Sequence, residues 1–90
     1  MADDPWIGFV VVADEIEAKL RIDHFLTPAQ IRQAVCWGAH DLAAWEDHPV
    51  YGLRLVVTGR TDETGPLIVY LRPVDETDGT WECLTAWRLD

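Results

Sequence analysis

The sequence predicts an α+β domain of β-α-α-β-β-β order, an antiparallel sheet with two helices packed on one face. Three observations predict it. A β-branched run lies near the start, a Thr-Pro pair opens a helical segment, and three apolar stretches near the end are separated by connectors rich in Asp, Thr and Gly.

Trp6 to Ala13 reads as a largely buried strand, bounded by Pro5 and by Asp14-Glu15. Residues 15–23 carry two patterns: Ile16, Ala18, Leu20 and Ile22 alternate with charged residues as in a strand, yet the composition is helix-forming. The helix is favoured. It would put Ile16, Leu20 and His24 on one stripe and Ala18, Ile22 and Phe25 on another, suiting an element between the sheet and a second helix. Thr27 can cap the next helix and Pro28 is favoured at its first position, with Gly38 ending it. His40 to Gly52 reads as mostly loop, with a helical turn at Asp41 to Trp45. Strands follow at Leu53 to Arg60, Leu67 to Arg72 and Trp81 to Leu89, joined by hairpin-length connections.

One domain, residues 1–90, is expected, with 49% apolar residues, enough to build a single core. With 7 Lys+Arg against 16 Asp+Glu the net charge is −9, which excludes a generally basic nucleic-acid binder. The apolar run Ile7 to Ala13 falls short of the roughly 20 residues that span a bilayer, and Asp3 and Asp4 stand where a signal peptide is positive. A cytoplasmic protein with no membrane partner is expected. Cys36 and Cys83 fit neither a metal motif nor a disulfide-rich scaffold and are read as reduced, packed thiols.

Splitting the strands by face sharpens the charge argument. Leu53, Leu55 and Val57, then Leu67, Val69 and Leu71, then Trp81, Cys83, Thr85, Trp87 and Leu89 form the expected core sides. The open face then gathers Arg54, Arg60, Arg72 and Arg88 with Glu82 alone, a local charge of 4 − 1 = +3. A five-residue first hairpin connection sets Arg54 opposite Arg72, Val56 opposite Tyr70 and Thr58 opposite Ile68; the second sets Glu82 beside Arg72. Two readings fit this face. In one, Glu82 pairs with Arg72 and the other arginines are solvated, their stems covering apolar neighbours. In the other, Arg54, Tyr70 and Arg72 bind an anionic substrate such as phosphate, because guanidinium forks match phosphate oxygens.

The run ADEIEAKLRIDHFLTPAQIRQAV, the later YGLRLVVTGRTDETGPLIVYL and the final GTWECLTAWRL resemble, in that order, the pattern of BrnT-type toxins of bacterial toxin–antitoxin modules. The resemblance covers roughly residues 13–89. It implies a fold similar to the RelE and ParE toxins, a ribosome-independent ribonuclease activity, and an antitoxin protein as partner. By the same resemblance His24, Arg60 and Arg88 are the catalytic candidates, Arg60 within Gly59-Arg60-Thr61 and Arg88 next to the final-strand arginine position. Asp23 and Phe25 flank His24 where the family has Lys and Gly, and Trp87 takes the place that follows Thr-Ala and is an arginine in the family.

Metal-independent RNA cleavage needs a base for the 2′-hydroxyl proton, a cation for the charge developing on phosphate and an acid for the leaving oxygen. His24 is the natural base, since an imidazole changes charge near neutral pH; its alternative is a packed or capping histidine. Arg60 and Arg88 would stabilise the phosphate. His40, Asp41, Glu46, Asp47 and His48 form a local His/carboxylate group, but their spacing matches no helical ligand pair, so no metal is expected. Trp37 and Trp45 are read as core or interface anchors. Without a Gly-rich phosphate loop or nucleophile elbow, no cofactor is expected. An inactive interaction module of the same fold, binding a protein partner, is the alternative function.

Overall fold

A computed structural model describes residues 5–89. Asp3 and Asp4, read above for their charge, lie outside the described residues. The order is β1 (Phe9–Val11), α1 (Asp14–His24), α2 (Pro28–Val35), β2 (Leu42–His48), β3 (Gly52–Thr61), β4 (Gly65–Asp75) and β5 (Thr80–Arg88). The class is α+β, as expected, with one five-stranded sheet ordered β1-β5-β4-β3-β2.

Two expectations are corrected. The sheet is mixed, because β1 lies parallel to β5 while all other pairs are antiparallel. Three hairpin reversals after β2 turn β5 into the direction of β1, so the first and last strands meet side by side. The segment expected to be mostly loop contains β2, an edge strand paired to β3 from Leu42↔Thr58 to His48↔Gly52. Its alternation of Leu42, Ala44 and Glu46 with Ala43, Trp45 and Asp47 was masked by helix-forming Ala, Leu and Glu, whose propensity the neighbouring strand overrides.

α1 is a helix, as favoured, with three acidic residues in its first turn, Asp14, Glu15 and Glu17. Only one stripe is buried: Leu20 is fully inside and Ile16 packs against the core, whereas Ile22 and Phe25 are exposed. The physical reason is β1's shortness. β1 pairs only with Thr80 to Glu82, leaving the rest of β5 without a strand neighbour there, and α1 packs along β5 through a single side. α2 begins as expected, with Thr27 and Gln30 forming a reciprocal capping box and Pro28 in the first turn. Its Ile31, Ala34 and Val35 are buried. It presses on β3 so closely that a Cβ on Gly59 would collide with the Ala34 carbonyl.

The register of the first hairpin matches the expectation, with Val56↔Tyr70 and Thr58↔Ile68. The last strand does not keep its expected faces. Tyr70 pairs with Thr85 but Leu71 with Cys83, so Leu84 is an extra residue, a β-bulge. One extra residue reverses the alternation beyond it. Ala86 is buried and Arg88 follows it onto the helix side, while Thr85 and Trp87, expected inward, join the open face. Leu53 and Leu89, also expected inward, are exposed at 58% and 48% because they lie past the β3–β4 and β4–β5 pairing. Both cysteines are free and buried.

Candidate nucleic-acid interface

Each strand from β3 to β5 gives the open face a ring or a guanidinium, and β4 gives it both. Arg54 of β3 stands over the Tyr70 ring of β4 at 4.3 Å and faces the Tyr51 ring at 5.3 Å. Tyr70 in turn packs on Trp87 of β5, with ring centroids 5.1 Å apart and planes 33° apart. Tyr51, Arg54, Tyr70 and Trp87 thus form a continuous row across the sheet. Tyr51 is fixed by its turn: His48 Nδ1 accepts hydrogen bonds from the backbone N–H groups of Val50 and Tyr51 at 3.0 and 3.2 Å, and the His48 and Tyr51 rings lie 4.7 Å apart.

The row lines a cavity of about 570 Å³, together with Lys19, Arg72, Leu84 and Thr85. That volume falls in the range of roughly 300–1,000 Å³ typical of small-molecule sites. Lys19 comes from α1, which runs beside the part of β5 that lacks a strand neighbour.

The arginines expected on this face are not alike. Arg54 and Arg72 both lie on the open face, as predicted, but each has its own carboxylate. Arg54 Nε donates to Glu46 Oε1 at 2.6 Å, and Arg72 donates to Glu82 Oε1 at 2.9 Å. Glu46 reaches Arg54 from β2, in register with it, a pairing outside any loop reading of that segment. The open-face charge is therefore lower than the +3 expected, since Glu46 joins and Arg88 leaves. Lys19 has no ion pair among the described residues.

Arg88 is the main correction. Its guanidinium donates to three backbone carbonyls: His24 at 3.2 Å, Phe25 at 3.0 Å and Thr64 at 3.2 Å. It therefore ties the end of α1 to the β3–β4 turn. Phe25 stands in the left-handed region, φ 56°, and Leu26 N–H closes on Leu20 O at 3.0 Å, leaving the last carbonyls of α1 to Arg88. The turn is further held by the buried Thr64, whose hydroxyl bonds Thr61 Oγ1 at 2.8 Å.

Arg60 is exposed at the same end of the sheet, opposite Pro66 and one position from the Leu67↔Arg88 pair. It lines a smaller cavity of about 400 Å³ with Gln33, Thr61, Asp62 and Glu63. His24 ends α1 half-buried, and no hydrogen bond of its imidazole occurs among the described residues. His24, Arg60 and Arg88 thus share one end of the molecule, but outside the aromatic cavity, and Arg60 and Arg88 belong to opposite faces.

No three His, Cys, Asp or Glu side chains converge as metal ligands among the described residues. Trp45 packs on Trp81 at 5.8 Å, and the exposed Trp37 meets Trp6 edge-on at 5.7 Å. Burial pushes the Cys83 thiol up to about 12, with Glu82 adding to it; burial also raises Cys36, opposed by Arg32. No helix is long and apolar enough to cross a membrane among the described residues.

The expected site omitted Lys19, Tyr51, Thr85 and Trp87. No signal in the sequence marks the bulge, since adjacent apolar residues such as Cys83 and Leu84 also occur in unbroken register at Val56-Val57 and Ile68-Val69. No family model matches the chain, and neither a curated protein nor a solved structure matches it.

Proposed function

We propose that the protein is a toxin-like RNA-binding domain of the cytoplasm, with the ribonuclease activity and the antitoxin partner that its resemblance to BrnT-type toxins implies. The observation that carries the reading is the Tyr51–Arg54–Tyr70–Trp87 row in a cavity that also holds Lys19 and Arg72. Single-stranded RNA is recognised by aromatic and guanidinium planes on which its bases stack, with cations meeting its phosphates. An open antiparallel sheet face carrying both supplies these contacts. In cleavage, His24 serves as the base and Arg60 as the phosphate-stabilising cation. Arg88 is a positioning residue, because it holds the backbone of His24 and the turn next to Arg60.

The test incubates purified protein with single-stranded RNA in the presence of EDTA and follows the products on a gel. Cleavage by the wild type that His24→Ala and Arg60→Ala each abolish is the expected result. Intact RNA at every protein:RNA ratio removes the nuclease reading. A second reading, a non-catalytic module for a protein partner, draws on the Trp6–Trp37 pair, which is 50% and 78% exposed and lies outside the cavity. Co-purification with the product of the adjacent reading frame, lost on Trp37→Ala in a protein that never cuts RNA, would favour it.

A further inference from the structure

The open-face cavity holds three cations, and they are not equally available. Arg54 is committed to Glu46 and stacked against Tyr70, and Arg72 is committed to Glu82. Lys19 alone of the three has no carboxylate partner among the described residues. The ring row is asymmetric in the same way. Tyr70 is occupied by Arg54 and by Trp87, whereas among the described residues no further ring stacks beyond Trp87. The free ring and the free cation line one cavity.

We infer that this cavity is a nucleotide subsite, in which one base stacks on Trp87 at the open end of the row and the adjoining phosphate is taken by Lys19. The inference rests on the RNA reading of the same face and specifies how that face binds. A base has a π-face whatever its identity, so stacking on Trp87 tolerates sequence, and a half-buried indole is pre-oriented by Tyr70. The ammonium of Lys19 is a point charge on a flexible stem, suited to a phosphate whose position shifts with the base. Because Arg54 and Arg72 are already neutralised, binding releases the counterions of about one phosphate. The affinity is therefore dominated by stacking and depends weakly on salt.

The experiment is fluorescence anisotropy with a labelled single-stranded oligoadenylate of about eight nucleotides, its integrity checked on a gel. With one phosphate neutralised, raising salt from about 50 to 200 mM weakens binding about threefold, whereas three would give about twentyfold. Lys19→Ala, an exposed helix position that leaves the fold intact, flattens even that dependence. Trp87→Ala weakens binding by roughly 5- to 150-fold, and Trp87→Phe, which keeps a ring, restores most of it. Wild-type binding with a twentyfold salt dependence, or unchanged by Lys19→Ala and by Trp87→Ala, overturns the subsite while leaving RNA binding intact. Absence of wild-type binding at the lower salt overturns the RNA reading and the subsite with it.

Discussion

The two faces of one sheet use arginine in opposite ways. On the helix side Arg88 lies among backbone carbonyls, closing the end of α1 onto the β3–β4 turn. On the open side Arg54 and Arg72 lie among rings and carboxylates. The bulge at Leu84 separates these fates, since unbroken alternation through Leu84 would point Arg88 to the open face and Trp87 to the core. A residue's type fixes what it can bond, and its strand parity decides to what.

Inserting one alanine between Ala86 and Trp87 breaks the comparison most directly. It would drive Trp87 against the helices and strip Arg88 from its carbonyls, so we expect a loss of more than about 4 kcal/mol, read as the urea midpoint by circular dichroism. Deleting Leu84 instead removes the bulge but keeps the pairs from Thr85↔Tyr70 to Arg88↔Leu67, so both side chains keep their faces. An insertion variant as stable as the wild type would mean that strand parity does not set the faces.

The closed side tolerates least. Gly59→Ala places a methyl against the Ala34 carbonyl and is expected to cost about 3 kcal/mol in the same assay. Arg88→Met keeps the side chain's bulk but leaves three carbonyls without their charged donor, costing about 2 kcal/mol. Lys in that place would recover part of it.

Cys83 lies on the closed side and makes stability depend on alkaline pH. Its folded-state value, about 12, is above the usual 9, so the folded protein keeps a proton that the unfolded chain loses. The contribution is whole below pH 9 and is lost as pH rises to about 12, at up to about 1.4 kcal/mol per pH unit. Urea titrations at several alkaline pH values should show that slope, and Cys83→Ala should flatten it. The smallest effect is expected at Phe25, exposed at 75% with φ 56°. Phe25→Gly removes the left-handed strain and should gain about 0.5–1 kcal/mol in the same urea assay.

Much of this was legible in the chain. Thr27, Pro28 and Gln30 carry a capping signal that is complete within four residues, and the helix begins where it says. The first hairpin register followed from connector length, and the Arg72–Glu82 pair from that of the second. The cavity was half legible. Arg54, Tyr70 and Arg72 were placed on the right face, but Lys19, Tyr51, Thr85 and Trp87 arrive from a neighbouring helix, a turn and a shifted strand.

By itself the sequence determined the local decisions: which segments prefer helix, where one helix starts, and, Leu53 apart, which residues of β3 and β4 face the core. Those depend on contacts within a few residues and on period-two alternation. The tertiary structure alone decided that β1 runs parallel to β5, that residues 42–48 form a strand, and that Leu84 bulges. Each is settled by a partner distant in the chain: β5 for β1, β3 for β2, and the fit of β5 beside β4 and α1. Pairing across the sheet outweighs local propensity there, and the choice of which arginine meets solvent was made by that pairing.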